Sequence, residues 1–158
     1  LKTEKYIKNK YFLMILPDDL IIKKNCSKAM IQVHKKYNAS VMASMKVNKR
    51  TVSRWGIYKL NKKLNKRDYE INGVVEKPSI KDAPSNNAVI GRYILPRTIF
   101  KKLKLLKPGK GTEIHITDAI QQLINDKEKF VAHNFEGKYL DCGTMNGYIN
   151  SSKVIGKL

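Results

Sequence analysis

The chain has 158 residues, of which 42% are hydrophobic, so it is long and apolar enough for one ordinary domain with a buried core, and its composition excludes a disordered chain. Its 32 Lys and Arg residues against 13 Asp and Glu give a net charge of +19, which favours anionic partners such as nucleic acid or phosphorylated substrates. The two cysteines, Cys26 and Cys142, have neither the spacing of zinc ligands nor that of a disulfide framework, which favours a reducing cytoplasm. No apolar run approaches the roughly 20 residues that span a bilayer, so no membrane span is predicted.

The N-terminal third of the chain predicts two strands and a helix. Residues 12–16 form a continuous apolar stretch that ends at Pro17, as expected for a central strand of a parallel sheet. Ser27 can cap a helix that extends to about residue 37, because its apolar side chains fall on one face. Apolar residues then alternate with smaller or polar ones over residues 41–47, which is typical of a strand.

The middle of the chain predicts a hairpin and a buried strand. Short strands at residues 56–60 and 69–75 flank a Lys- and Asn-rich hairpin tip at residues 61–66. A loop at residues 78–84 leads into a buried strand at residues 88–95.

The last third predicts three helices and a strand pair. Pro96 can occupy the first turn of a short helix, a turn-rich loop follows at residues 107–111, and Thr117 caps the next helix. A strand pair around Gly137 and a final helix complete the pattern, at residues 130–135, 138–140 and 145–154. Helices and strands alternate throughout, so we predict a single α/β domain over residues 1–158 with a mixed sheet.

Two carboxylates, Asp18 and Asp19, follow the first predicted strand. At the carboxyl edge of a sheet, where open α/β folds bind ligands, an aspartate can hold a Mg²⁺ ion that also bridges to substrate phosphates. The alternative is that the pair caps the next turn, and the local sequence does not decide between the two.

A second charged pair, Glu76 and Lys77, follows the strand predicted at residues 69–75. A glutamate in this place can accept hydrogen bonds from two sugar hydroxyls, and a lysine can neutralise a phosphate as a point charge. Taken alone, the pair is also compatible with an ordinary ion pair on an edge strand.

Two further segments combine polar loops with predicted elements. In residues 83–93 a polar loop enters a buried strand, where Gly91 permits close approach of the backbone. Residues 111–120 place Asp118 in the first turn of a helix, where an aspartate ordinarily complements the helix dipole.

In this order and spacing, these segments strongly resemble the bacterial UDP-glucose pyrophosphorylases, or UTP–glucose-1-phosphate uridylyltransferases, which are nucleotidyltransferases. The shared strings extend from about residue 12 to residue 148: LPDDL, GVVEKP, APSN with GRYIL, PGxGxEI with TDAI, and DCG with GY. The resemblance implies a nucleotidyltransferase-type, Rossmann-like mixed sheet. It also implies the family reaction, in which an oxygen of glucose 1-phosphate attacks the α-phosphorus of UTP and releases UDP-glucose and diphosphate.

The resemblance also implies residue roles. Asp18 and Lys77 would be the catalytic residues, Asp18 by binding Mg²⁺ beside the reacting phosphates and Lys77 by binding the phosphate of glucose 1-phosphate. Asp118 would be a candidate second metal contact, and Glu76 would bind glucose hydroxyls. The remaining substrate-binding positions would be Gly56, Val89 and Tyr93.

The chain departs from the family pattern in several places. The glycine-rich GxGTR-type loop that holds the triphosphate does not occur before residue 12, so a chain that opens on Leu1 is expected to be truncated at its N-terminus. The missing half is then lost or supplied by a separate chain, whereas full-length members are expected to form homo-oligomers. Residues 109–112 fail as a P-loop, because Gly111 stands where Ser or Thr is needed. In smaller departures, Trp55 stands where the family usually has Tyr, and His115 where it usually has Gln. Residues 145–146 replace the usual Lys-Leu.

Truncation would remove a neighbour from the strand at residues 12–16 and expose its apolar edge. The isolated chain is therefore expected to be unstable or to self-associate, and to be inactive in forming UDP-glucose. The alternative function is a basic nucleic-acid-binding protein without catalysis, and it depends on the net charge of +19 alone. Because the lysines are spread evenly instead of forming one stripe with aromatic residues, the charge is equally open to being a solvated surface.

Overall fold

The structure, a computed structural model, describes residues 1–106 and 115–158. Strands β1 to β8 are Tyr11–Ile15, Asp19–Ile22, Ser40–Lys46, Gly56–Lys63, Asp68–Glu76, Asn87–Pro96, Phe130–Asn134 and Lys138–Asp141. Helices α1 to α4 are Cys26–Tyr37, Ile99–Leu105, Ile116–Asn125 and Met145–Ile155, and short 3₁₀ helices occur at Glu4–Tyr6 and Lys49–Arg54. The loop predicted at residues 107–111 and the segment at residues 109–112 that fails as a P-loop lie outside the described residues.

Six strands form one mixed sheet in the order β1-β6-β3-β7-β5-β4, and β2 pairs with β8 in a separate two-stranded sheet. Within the larger sheet β3 and β7 are parallel, and the other pairs are antiparallel. β4 also pairs with β6 through Ile57 and Ala88, which brings the beginnings of these two strands together. The mixed sheet predicted from the sequence is confirmed.

Helices cover both faces of the larger sheet. On one face, Met30 and Val33 of α1 share a buried cluster with Val41 of β3. On the opposite face, Met42 of β3 belongs to a cluster with α2 and α3 that includes Ile120. Because β3 is covered on both sides, its first residues are buried in succession instead of alternating. None of the helices in the described ranges is long and apolar enough to cross a bilayer.

The strand predicted at residues 12–16 lies in a different place from the one expected. β1 is an edge strand that pairs antiparallel with β6, from Tyr11–Pro96 to Ile15–Arg92, so the prediction of a central parallel strand is wrong. An apolar run alone does not reveal whether one or both faces are covered. Leu13 and Ile15 of this edge strand remain 37% and 48% exposed.

Two predictions at the ends of elements are also wrong. α1 is capped by Asn25, whose side-chain oxygen accepts a hydrogen bond from Lys28 N at 2.9 Å, and Ser27 lies inside the helix. Pro96 is the last residue of β6, and α2 begins at Ile99.

The strand pair predicted around Gly137 does not form. β7 lies in the larger sheet beside β3 and β5, whereas β8 pairs antiparallel with β2, from Asp19–Asp141 to Ile22–Lys138. The sequence did not predict β2, because its short apolar run follows directly on two aspartates. This pairing brings the Asp18–Asp19 segment beside the DCG motif. The hairpin of β4 and β5, the buried strand β6 and the last helix α4 are confirmed.

Candidate functional site

A cavity of about 210 Å³ opens where the segment after β1 meets β4, β5 and β6. Four of the predicted positions line it: Gly56, Glu76, Val89 and Tyr93. The sequence did not assign a ligand contact to the other lining residues, which are Leu16, Asp19, Arg54, Trp55, Gly91, His115, Ile116 and Thr117. These residues come from distant parts of the chain that only the sheet brings together.

An open carboxylate forms one side of this cavity. Gly56 and Glu76 lie directly opposite each other on β4 and β5. A Cβ atom on Gly56 would lie 3.0 Å from Glu76 Oε2 and 3.2 Å from a methyl carbon of Val89, so glycine leaves the space beside the exposed carboxylate free. An accessible carboxylate next to a bare stretch of backbone can accept hydrogen bonds from the hydroxyl groups of a small polar ligand.

Tyr93 supplies a buried hydroxyl to the same cavity and is 5% exposed. Burial raises the pKa of Tyr93, and the negative charges of Asp19 and Glu76 raise it further. The hydroxyl therefore keeps its proton at neutral pH and can donate a hydrogen bond.

Asp19 joins three segments of the chain at this site. Its Oδ2 accepts a hydrogen bond from Gly91 N at 2.5 Å, and its Oδ1 accepts one from the hydroxyl of Tyr139. The backbone oxygen of Gly91 in turn accepts one from Leu16 N at 2.7 Å. Asp19 is thus a positioning residue that holds the segment after β1 against β6 and β8. The sequence missed this role, because its donors lie more than seventy residues away in the chain.

The carboxylates of Asp18 and Asp141 converge on Gly143. A Cβ atom on Gly143 would lie 2.9 Å from Asp18 Oδ2 and 3.4 Å from Asp141 Oδ1. Asp18 is exposed, and its backbone oxygen accepts a hydrogen bond from Cys142 N at 2.8 Å. Paired carboxylates are oxygen ligands of the kind that Mg²⁺ uses together with substrate phosphates, so these residues fit that ion. Asp141 has no predicted role in the sequence, although it stands in the DCG motif.

Tyr139 lies beside these carboxylates and contacts Trp55 edge-on, with ring centroids 5.9 Å apart. Burial raises the pKa of Tyr139, and so do its hydrogen bond to Asp19 and the negative charges of Asp19, Asp141 and Asp18.

An alkaline titration tests this environment. Because the folded-state pKa of Tyr139 lies above the ordinary tyrosine value of about 10, the stability that it contributes is complete below about pH 10 and is lost as the pH rises through the folded-state pKa. We expect the free energy of unfolding to fall above about pH 10, and to fall less steeply in Tyr139→Phe. Urea unfolding at successive pH values measures both slopes, and equal slopes would contradict the assignment. Tyr11, Tyr58 and Tyr93, whose pKa values are also raised by burial, contribute to the slope that remains.

Lys77 does not line the cavity, but its backbone is unusual. Its φ of 43° lies in the left-handed region, and its N–H donates to Trp55 O at 3.0 Å. For a residue other than glycine this conformation costs about 1 kcal/mol, and such strain is concentrated at functional sites. The strained residue, Lys77, directly follows Glu76, which is the last residue of β5.

Asp118 lies in the first turn of α3, is exposed and does not line the cavity. The N-cap is His115 and not Thr117, so the predicted cap is wrong. Thr117 is buried, and its Oγ1 has no hydrogen-bond partner in the described part of the chain. Within residues 1–106 and 115–158, no group of three or more His, Cys, Asp or Glu side chains forms a ready-made metal site. The metal role of Asp118 therefore stays a prediction.

Comparison with known proteins gives one family. The family model described as nucleotidyl transferase matches residues 1–157. The UTP–glucose-1-phosphate uridylyltransferase of Komagataeibacter xylinus is 38% identical over 143 residues, covering 90% of this chain and 50% of that protein. Several solved structures cover 98% of the chain, and two of them are described here. One is a UDP-glucose pyrophosphorylase complexed with UDP-glucose, with 42% identity, a TM-score of 0.90 and 59% of that chain covered. The other is a UTP-bound UGPase from Acinetobacter baumannii, with 30% identity, a TM-score of 0.85 and 53% of that chain covered.

The chain spans about half the length of the curated relatives it matches. The resemblance stated from the sequence motifs is confirmed by these comparisons, and so is the nucleotidyltransferase-type α/β fold. Nothing in them supports the nucleic-acid-binding alternative.

Proposed function

The chain belongs to the nucleotidyl transferase family, and on that premise we propose that it forms the sugar-binding part of a UTP–glucose-1-phosphate uridylyltransferase. The proposed reaction converts UTP and glucose 1-phosphate into UDP-glucose and diphosphate. The observation that carries the proposal is the cavity in which Gly56, Glu76, Val89 and Tyr93 meet.

The cavity offers complementary contacts to a hexose. The Glu76 carboxylate would accept hydrogen bonds from two sugar hydroxyls, and the Tyr93 hydroxyl would donate one. Val89 would contact an apolar face of the ring, and Gly56 would let the ring approach the backbone of β4. A site that makes several directional polar contacts to hydroxyls discriminates between sugars, because a mismatched hydroxyl leaves a buried polar group unpaired.

Lys77 would bind the phosphate of the same sugar. It follows Glu76 directly, so one end of β5 would hold both the ring and its phosphate. Transfer of a nucleotidyl group needs little covalent help from a protein: the reactants are aligned for in-line attack, and the developing charge is stabilised. In this proposal Lys77 contributes the positive charge and the sugar cavity contributes the alignment.

We propose that Asp18, with Asp141 beside it, would hold Mg²⁺, and that Asp118 would provide a second contact. The carboxylates of Asp18 and Asp141 support this proposal because they converge on Gly143. A bound Mg²⁺ would neutralise charge on the reacting phosphates. Asp19 would hold Asp18 in place through its own hydrogen bonds to Gly91 and Tyr139.

We place this activity in the cytoplasm. Cys26 and Cys142 are free thiols, as expected under reducing conditions. Cys26 is buried at the beginning of α1, so a disulfide to it would need a partner cysteine in the core. A buried free thiol of this kind suits a reducing compartment.

Calorimetric titration with UDP-glucose in the presence of Mg²⁺ tests the proposed function. We expect saturable binding to the wild-type chain and a loss of about tenfold or more in affinity for Glu76→Gln, since hydrogen bonds to a charged group contribute about 1.5 to 3 kcal/mol. Glu70→Gln is the matched control, because Glu70 lies on the same strand and contacts Asn61 outside the cavity.

Two results would contradict the proposal. One is a wild-type chain that binds neither UDP-glucose nor glucose 1-phosphate. The other is an equal affinity of Glu76→Gln and Glu70→Gln for UDP-glucose. A parallel titration with UDP-galactose measures how far the cavity discriminates between the two sugars.

A further inference from the structure

Arg54 is a charged residue of the sugar cavity for which the sequence predicted no role. Among the described residues that line this cavity, it is the only arginine or lysine. Lys77, which is proposed above to bind the sugar phosphate, does not line it. We propose that Arg54 binds the phosphate group of the sugar phosphate at the cavity, in addition to Lys77. This inference rests on the sugar-binding function proposed above.

The local backbone places Arg54 on the cavity side of the sheet. Arg54 ends the 3₁₀ helix Lys49–Arg54, and the next residue, Trp55, is extended, with a φ of −130° and a ψ of 155°. Side chains two residues apart in an extended segment lie on the same face, so Arg54 shares the face of Gly56. Gly56 is directly opposite Glu76 in the pairing of β4 with β5. Arg54 therefore lies on the side of the Glu76 carboxylate, which agrees with its place in the cavity wall.

The cavity has two charged groups without a counterion. Neither Glu76 nor Arg54 forms a salt bridge with any residue in the described part of the chain. Asp19 is the other carboxylate among the described lining residues, and its two oxygens already accept hydrogen bonds from Gly91 N and the Tyr139 hydroxyl. Opposite charges that line one cavity without pairing suit a ligand that offers hydroxyl groups to the carboxylate and an anionic group to the guanidinium.

A guanidinium group recognises phosphate in particular. It stays charged at every physiological pH, and its planar fork of N–H donors can bind two phosphate oxygens at once. Free phosphate would gain this contact alone and would meet the negative charge of Glu76. A sugar phosphate would also gain the contacts of Glu76 and Tyr93 to its hydroxyls. The arrangement therefore favours a sugar phosphate over both the neutral sugar and free phosphate.

Titrations in the absence of Mg²⁺ test this inference on the 158-residue chain. Trp55 is the single tryptophan and lines the cavity, so its fluorescence reports the entry of a ligand. Glucose 1-phosphate, methyl α-glucoside and inorganic phosphate are titrated separately at equal ionic strength. We expect glucose 1-phosphate to bind about tenfold or more tightly than either of the other two, since only it makes both the hydroxyl and the charge-assisted phosphate contacts.

Variants of Arg54 identify the group that carries the preference. Arg54→Gln is expected to weaken the binding of glucose 1-phosphate by about tenfold and to leave that of methyl α-glucoside unchanged. Arg54→Lys keeps the charge without the fork of donors and should retain more of the affinity than Arg54→Gln. Arg50→Gln is the matched control, because Arg50 is an exposed arginine of the same 3₁₀ helix that does not line the cavity.

Three results would overturn the inference while the proposed function stands. In the first, Arg54→Gln binds glucose 1-phosphate as tightly as Arg50→Gln does. In the second, Arg54→Gln weakens both sugar ligands equally, so that Arg54 supports the ring site and not the phosphate. In the third, the wild type binds glucose 1-phosphate and methyl α-glucoside with equal affinity. A wild type that binds neither sugar ligand would instead contradict the proposed function, and this inference with it.

Discussion

Replacement of Gly91 by alanine is expected to lower the free energy of unfolding by about 2 to 5 kcal/mol. A Cβ atom at this position would overlap with Oδ2 of Asp19, and it would lie 2.5 Å from Leu16 Cδ1 and 2.7 Å from Leu16 Cβ. The methyl group would therefore push away the segment after β1. That movement would break the hydrogen bond from Gly91 N to Asp19, and with it the bond from Leu16 N to Gly91 O.

Gly56→Ala is the matched control, because Gly56 is also a buried strand glycine that lines the same cavity. The closest contact of the added Cβ atom would be 3.0 Å, to Oε2 of the exposed Glu76 side chain, which can move away. Urea unfolding of both variants gives the comparison. Equal losses of stability would show that the contact of Gly91 with Asp19 and Leu16 is not the cause.

Asp19→Ala is expected to lower the free energy of unfolding by about 2 to 4 kcal/mol, since a hydrogen bond to a charged group contributes about 1.5 to 3 kcal/mol and this side chain is half-buried. The variant leaves Gly91 N and the Tyr139 hydroxyl without their acceptor. Gly91 is buried, so its N–H is cut off from water as a replacement partner. We also expect the environment of the single Trp55 to change, because its ring contacts that of Tyr139.

The adjacent Asp18 provides an internal control. Asp18→Ala removes an equal charge from an exposed position and should change stability by less than about 0.5 kcal/mol. Urea unfolding followed by Trp55 fluorescence measures both variants. A loss for Asp18→Ala as large as that for Asp19→Ala would contradict the division of roles, in which Asp19 positions the segment and the exposed Asp18 carries no structural contact through its side chain.

This division of roles shows how far the motif LPDDL can be interpreted from sequence. The sequence indicated that the two carboxylates follow a strand at the edge of a ligand site, and it left open whether they bind a metal or cap a turn. Both residues lie at this edge, but the structure gives them different environments. Asp19 is half-buried and bound to Gly91 and Tyr139, whereas Asp18 is exposed.

Four of the predicted substrate-binding positions line one cavity, because they lie on one hairpin and its neighbouring strand. Gly56 and Glu76 are opposite each other in the pairing of β4 with β5, and Val89 and Tyr93 lie on the adjoining strand β6. The place of Asp141 beside Asp18 could not be predicted, because it depends on the pairing of β2 with β8, which the sequence did not predict. The edge position of β1 was missed for the same reason, since an apolar run does not specify its neighbours.

The buried pair of Asp68 and His133 illustrates the same limit. Neither residue carries a motif, and no predicted role in the sequence was attached to them. They meet because β5 and β7 are neighbours in the sheet, in register at these two residues. The unpartnered Nε2 is visible only when the burial of the whole ring is known.

By itself, the sequence determined the family, the α/β class and the order of most helices and strands, and it named four residues that the fold brings to one cavity. These properties depend on motifs, on periodicity and on pairing between neighbouring strands, all of which are local along the chain. Only the tertiary structure decided which aspartate is anchored, that β1 pairs with β6 and β8 with β2, and that Asp68 meets His133. Each of these depends on hydrogen bonds and burial between residues far apart in the chain, which no local pattern records.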